Sequence, residues 1–264
     1  ITEWLPISST GHMIILDELA KLNVSDAFRE MFLVVIQLGA ILAVVVLYFK
    51  KLWPFSTKEK FFIKKDTFGM WFKILAACIP AAIVGVFFDD KINELFYNYQ
   101  TVAAMLIIFG VLFIVIENYN KGRKPVMNSI AEITWKAAIG VGLFQLIAAV
   151  FPGTSRSGAT ILGAMLIGCS RTVAAEFTFF LAVPTMAGAS LVKVVKFLAD
   201  GGGFSGSEVG ILLTGCAVAF AVSMLCIRFL MNYVKKHDFK VFGWYRIGLG
   251  ALVLAYFYLL KPAL

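Results

Sequence analysis

The chain has 264 residues, of which 60% are hydrophobic and only 15% charged, and its mean hydropathy is +0.87. A water-soluble domain is about one-quarter charged, so that class is excluded; in lipid, long apolar runs must satisfy their own backbone polar groups as helices. The net charge of +8 comes from Lys and Arg gathered in short loops, the usual distribution in a membrane protein, and no nucleic-acid partner is expected.

The first element, residues 3–16, is apolar but short. It is broken at Pro6 and Gly11 and carries the polar knot "EWLPISSTGH". Three full spans follow at 28–48, 68–88 and 101–116. The stretch 133–170 is long enough to cross a membrane but is broken at Pro152-Gly153, within "FPGTSRSGAT". Three more spans close the chain, at 172–197, 209–231 and 244–260. A proline beside small polar residues fits a continuous helix poorly. Non-helical backbone at membrane depth is tolerated where it is buried in protein or lines a wet cavity. Both broken stretches therefore read as re-entrant helical hairpins. Cys78, Cys169, Cys216 and Cys226 all lie in apolar segments with no C-x-x-C pair, which indicates neither a disulfide framework nor a zinc site.

Orientation follows from the loops. Residues 50–66 carry six Lys, and 120–124 and 235–240 together add six more Lys or Arg. The segments "DDKINE" (89–94) and "DGGGFSGSE" (200–208) are acidic or neutral. The basic loops are expected on the cytoplasmic side. Six spans fit this alternation only if each hairpin returns to the face it entered from. The first then enters from outside and ends within 17–26; the second enters from the cytoplasm and ends near 170–171. Entry from opposite faces marks an inverted repeat, and "LPISSTG" parallels "FPGTSRSG" with one extra residue in the second. The expected fold is an all-α polytopic membrane protein: six transmembrane helices plus two re-entrant hairpins in an inverted-topology repeat. It forms one membrane domain over 1–264, with halves 1–132 and 133–264.

Chemistry concentrates at the two breaks. Of the two histidines, His237 sits in a basic loop, whereas His12 lies at membrane depth three residues after Ser9, where an ionisable group is costly and points to function. Glu3 reads either as a helix-end acid or as a metal ligand or base facing the same cavity. Arg156, between Ser155 and Ser157, opens a helix whose free N–H groups suit an anion, and its guanidinium adds a planar fork for phosphate oxygens. If the tips meet, Glu3, Ser8, Ser9, His12, Ser155, Arg156, Ser157 and Thr160 share one cavity. A hydroxyl beside a histidine, facing an anion clamp, suits phosphoryl transfer from a lipid phosphate or diphosphate. Gln37 and Gln145 are expected to bond between helices, Glu176 to pair with Arg171, and Lys193 and Lys196 to snorkel. Gly140, Gly142, Gly163, Gly188, Gly248 and Gly250 are expected to let helices approach closely.

At "TEWLPISSTGH", "VVIQLGAILAVV", "PGTSRSGAT" and "AAEFTFFLAVP" the chain resembles the undecaprenyl-diphosphate phosphatases, the bacitracin-resistance protein family. The resemblance covers essentially the whole chain. It implies an enzyme of the bacterial cytoplasmic membrane that removes the terminal phosphate from undecaprenyl diphosphate and recycles the lipid carrier of peptidoglycan synthesis. Its active site is expected to open toward the outer face. By motif match it assigns catalysis to Glu3, Ser9, His12 and Arg156, with Ser9 or the histidine as nucleophile. Ser8, Ser155, Arg156, Ser157 and Thr160 are assigned to substrate. It implies a divalent cation, Mg²⁺ or Ca²⁺, on Glu3 and a second Glu expected just before residue 1. The expected partners are the polyprenyl diphosphate and membrane lipids; the oligomeric state stays open, a homodimer included. A lipid flippase is the alternative, because broken helices in inverted repeats are transporter architecture. Acid-phosphatase-like lipid phosphatases are set aside, since no H-x-x-x-D follows Arg156.

Overall fold

Short polar side chains set where the helices begin. Ser25, Asn98, Thr134, Ser170 and Ser205 each stand just ahead of a helix and accept a hydrogen bond from a backbone N–H of its first turn. Each satisfies one of the donors that a helix start leaves free. The computed structural model describes residues 1–19, 24–57 and 62–260. In chain order the helices are α1 (Ser9–Leu19), α2 (Asp26–Val35), α3 (Gln37–Leu47), α4 (Phe49–Leu52), α5 (Lys65–Phe87), α6 (Asp89–Phe96), α7 (Tyr99–Tyr119), α8 (Trp135–Val150), α9 (Arg156–Ile167), α10 (Arg171–Ala199), α11 (Gly206–Val234) and α12 (Lys240–Ala255). Among the described residues extended pairing is confined to isolated bridges, so the fold is all-α.

Among the described residues six segments are long and apolar enough to span a membrane: Asp26–Leu47 (α2 with α3), Lys65–Phe87, Tyr99–Tyr119, Arg171–Ala199, Gly206–Val234 and Lys240–Leu259. They match the six expected spans, each beginning slightly earlier because the polar residues of the first turn belong to the helix. The stretch 133–170 becomes two helices, α8 and α9, around a turn at 151–155. The stretch 3–16 becomes a turn followed by α1. Its break lies only around Pro6–Ser8. Gly11 continues the helix, contrary to the expectation of a second break, because its hydrogen atom lets α1 lie against α7 and α12: a Cβ there would come within 2.9 Å of Leu106 Cδ1. The expected exit of the first hairpin overlaps residues 20–23, and part of the basic loop is residues 58–61; both lie outside the described residues.

Between helices in lipid there is little hydrophobic drive, so close van der Waals packing and hydrogen bonds hold the bundle. Glycines mark the closest approaches. Gly163 meets the Phe144 ring and Gly140 meets Ile167, which sets α8 and α9 antiparallel. Gly142 faces Ala77 of α5, Gly39 faces the Cys216 carbonyl of α11, and Gly110 of α7 faces the Gly243 carbonyl of α12. Gly250 faces Ile107 and Ala103. Gly188 and Gly248 have open space where a Cβ would stand, so these two do not serve close packing. Gln145 accepts from the Thr185 hydroxyl at 3.4 Å, linking α8 to α10.

Ion pairs tie each end. At the end holding the basic segments, the buried Glu117 carboxylate of α7 accepts from Arg171 of α10 and from the backbone N–H of Phe239 ahead of α12. Glu176 pairs with Lys51 rather than with the expected Arg171, because Arg171 is already held in a fork by Glu117. At the opposite end Lys193 and Lys196 do not simply snorkel: they pair with Asp89 and Asp90, which open α6. The α8–α9 turn sits nearer this second end, where the Gly153 Cα hydrogen faces the Val102 carbonyl in the first turn of α7.

Candidate active site

The two turns are built alike. Ser8 and Ser155 both take a positive φ, 70° and 68°, which is uncommon for a residue bearing a Cβ. Each hydroxyl then accepts from the N–H three residues on, Gly11 in the first turn and Gly158 in the second, both at 3.2 Å. Ser9 and Arg156 consequently occupy equivalent positions as the first residues of α1 and α9.

A single guanidinium fastens the turns together. Arg246 of α12 is fully buried. Its Nη1 donates to the Pro6 carbonyl at 3.3 Å, and its Nη2 donates to the carbonyls of Gly153 and Thr154 at 3.0 and 2.7 Å and, more weakly, of Met105 at 3.4 Å. Turn backbone that could not pair within a helix thus finds its donors in one rigid fork. The Trp4 ring, also fully buried, packs edge-on against Phe179 of α10, with centroids 5.3 Å apart, and anchors the first turn from the other side.

Across the junction Arg156 Nη2 donates to Glu3 Oε1 at 3.0 Å; the two side chains keep 15% and 21% of their exposure. Arg156 Nη1 is buried and, among the described residues, has no hydrogen-bond partner. A buried charged donor without a partner is costly, and an anionic oxygen would satisfy it. Two helix N-termini meeting at one guanidinium clasp add their own positive ends to the same place. The arrangement can therefore hold an anion with several oxygens, such as a diphosphate.

The remaining expected residues divide into two groups. Ser9, His12 and Ser155 are half-buried. Ser8, Ser157 and Thr160 are buried. Ser8 serves as the cap of α1, and Ser157 lies 3.2 Å from the Ser155 hydroxyl. Thr160 donates to the Arg156 carbonyl and accepts from Thr178 of α10, so its hydroxyl ties α9 to its neighbour. No hydrogen bond joins Ser9 to His12 among the described residues. The two His12 nitrogens lie 2.7 Å from the Ser8 carbonyl and 2.7 Å from the Tyr245 hydroxyl.

Arg246, Tyr245 and Met186, whose sulfur lies 3.4 Å from Arg156 Nη2, were not among the expected site residues. For Arg246 a signal exists in the sequence: it is an ionisable residue within the last span, where such a group is rare and functional. Tyr245 and Met186 carry no such signal.

For a divalent cation, no group of three or more His, Cys, Asp or Glu is assembled among the described residues. Among the described residues Glu3 is the carboxylate that pairs with Arg156. Mg²⁺ on phosphate substrates commonly needs only one or two carboxylates, with the phosphates and water completing its shell, so a single Glu facing a diphosphate suits that mode and no all-protein cage.

Residues 1–252 match the family described as bacitracin resistance protein BacA. The chain is similar to the undecaprenyl-diphosphatase of Desulfitobacterium hafniense, 65% identical over 97% of this chain and 91% of that one. It is likewise 65% identical to undecaprenyl-diphosphatase 1 of Clostridium acetobutylicum, over 97% of this chain and 93% of that one. The undecaprenyl-diphosphatase of Enterococcus faecalis is 60% identical over 96% of this chain and 91% of its own length.

Proposed function

The chain belongs to the bacitracin resistance protein BacA family, and from that premise we propose how its two turns work as one phosphatase site. The protein is a multi-pass membrane undecaprenyl-diphosphatase: it hydrolyses undecaprenyl diphosphate to undecaprenyl phosphate and inorganic phosphate, returning the lipid carrier of peptidoglycan synthesis. The names of its relatives favour this hydrolase over a lipid carrier.

The observation that carries the site is the meeting of two helix N-termini at Arg246, with Arg156 between them and one of its nitrogens unpartnered. Arg156 binds the diphosphate oxygens and holds their charge as the bond to phosphorus is exchanged, the main demand of phosphoryl transfer. Ser9 supplies the attacking hydroxyl: of the paired serines in the first turn, Ser8 is spent on the cap. His12 lies three residues on, on the same side of α1, and takes up the proton. The new bond forms at the terminal phosphorus, the bond to the bridging oxygen breaks, and undecaprenyl phosphate leaves; water then releases the phosphate from the serine. A divalent cation held by Glu3 and the diphosphate would supply further positive charge. Ser155 caps α9 at the rim of the site, while Ser157 and Thr160 support the turn from beneath.

The site opens to the outer face of the cytoplasmic membrane, and the two turns belong to halves 1–132 and 133–264 of an inverted repeat with re-entrant hairpins. Support comes from the matched Ser8 and Ser155 geometry and from the position of the α8–α9 turn, nearer the end away from the basic segments. Phosphate release from undecaprenyl diphosphate by the purified protein tests the activity. Turnover that falls on chelation and returns with Mg²⁺ or Ca²⁺ is the expected result; no release under either condition rejects the reading.

A further inference from the structure

His12 is held from two sides. A carbonyl oxygen only accepts, so the 2.7 Å contact with the Ser8 carbonyl puts a proton on Nδ1. In the neutral ring Nε2 is then the lone-pair nitrogen, and the Tyr245 hydroxyl 2.7 Å away donates to it. The tyrosine ring lies nearly parallel to the imidazole, with planes 10° apart and centroids at 5.7 Å. Tyr245 is also the neighbour in sequence of Arg246, whose four carbonyl contacts fix this part of α12 against both turns. The hydroxyl is therefore carried beside the residue that fastens the two turns, while His12 sits on α1, which meets the bundle at α7 and α12.

Resting on the phosphatase reading, we propose that Tyr245 is a positioning residue for the reaction, acting through His12. The Ser8 carbonyl sets which imidazole nitrogen is basic, the Tyr245 hydroxyl sets where that nitrogen points, and once Nε2 has taken the Ser9 proton the phenol oxygen turns to accept from the new N–H. The orienting groups of a base are what make a nucleophile and base pair productive. Here the orientation comes from two partners on two elements, a backbone carbonyl of the first turn and a phenol of α12. A tyrosine that merely packed α1 against α12 would need only its ring.

The Tyr245→Phe protein separates these roles, because phenylalanine keeps the stacking ring and loses the hydroxyl. The expected result is a fall in kcat of about tenfold, within the range for loss of acid–base assistance, with KM within about twofold and an unchanged thermal midpoint. Histidine-specific ¹⁵N labelling gives the second readout, since the chain has only two histidines and His237 serves as the internal control. The His12 Nε2 resonance moves toward that of an unbonded lone-pair nitrogen in Tyr245→Phe, and His237 stays. Wild-type kcat in Tyr245→Phe, a loss confined to KM, or an unmoved His12 resonance overturns the proposal. Wild-type and Arg156→Ala proteins run in the same assay. An inactive wild type or an active Arg156→Ala defeats the phosphatase reading itself, whereas normal behaviour of both beside an unaffected Tyr245→Phe defeats only the role of the tyrosine.

Discussion

Arg156 and Glu3 lie 153 positions apart in the chain and 3.0 Å apart in space. Their ion pair crosses from the second turn to the first, and in the proposed site the fork of the arginine faces the diphosphate. The fork matters as well as the charge. Arg156→Lys keeps a cation but cannot present two parallel donors, so turnover is expected to fall at least about tenfold, toward the roughly 10²–10³-fold loss typical when a charge-stabilising donor is removed outright. Steady-state phosphate release by the lysine variant checks this; wild-type activity would show that point charge alone suffices.

Glu3→Gln keeps the shape of the side chain and removes the charge that both Arg156 and a cation would use. Residual turnover is expected to lose its response to added Mg²⁺ and to chelator. A variant that remains fully cation-dependent would place the metal elsewhere.

Arg246→Met tests the clasp. The variant leaves the carbonyls of Pro6, Gly153 and Thr154 without their buried donor, at roughly 1–3 kcal/mol for each unsatisfied group. Thermal midpoint and activity are expected to fall together. The measurement is a thermal shift in detergent beside the activity assay; a stable variant that has lost only activity would make Arg246 part of the chemistry instead.

Much of this architecture is legible in the sequence because hydropathy and polar caps are local properties. The apolar runs marked all six spans, and Pro152-Gly153 marked the turn between α8 and α9. What is not legible is pairing across the bundle. Glu176 has a cation five residues before it in Arg171, yet its partner is Lys51, brought in by α4. Local spacing set Ser9 beside His12 but could not give the partners of the ring: the His12 nitrogens are taken by the Ser8 carbonyl and by Tyr245, distant by 233 positions. Gly11 looked like a break because glycine is permissive, but its role is the nearness of Leu106, a tertiary contact that no local pattern records.

Two glycine substitutions of the same kind are expected to have opposite signs. Gly39→Ala would place a Cβ 2.1 Å from the Cys216 carbonyl oxygen of α11, so the helices must part, at a cost of about 1–3 kcal/mol or more. Gly248→Ala meets nothing within 4 Å and gains the helix preference of alanine, up to about 1 kcal/mol. Thermal midpoints of the two variants decide; equal shifts would contradict the packing described for α3 and α11.

The Lys196–Asp90 pair, at the end away from the basic segments, is expected to respond to acid. The hydrogen bond from Lys196, and then its charge, hold the Asp90 carboxyl below its ordinary value. A folded-state value below the unfolded one contributes stability above the ordinary carboxylate range and loses it as pH falls through the lowered value. Amide protection across α6, taken relative to the intrinsic exchange rate at each pH, should therefore fall as pH drops below the ordinary carboxylate range, and Asp90→Asn should show the lower protection already at neutral pH. Because this surface pair shares no contact with Glu3 or Arg156, phosphatase activity at neutral pH should not change.

The most direct test of two turns forming one site is a single-turnover measurement of phosphate release from undecaprenyl diphosphate by four purified proteins: wild type, Ser9→Ala, Arg156→Ala and the double variant. Two residues serving one reaction act as a unit, so their losses should not add. Each single variant is expected to lose about as much as the double variant. Independent, multiplying losses, or release by Arg156→Ala at the wild-type rate, would contradict the account.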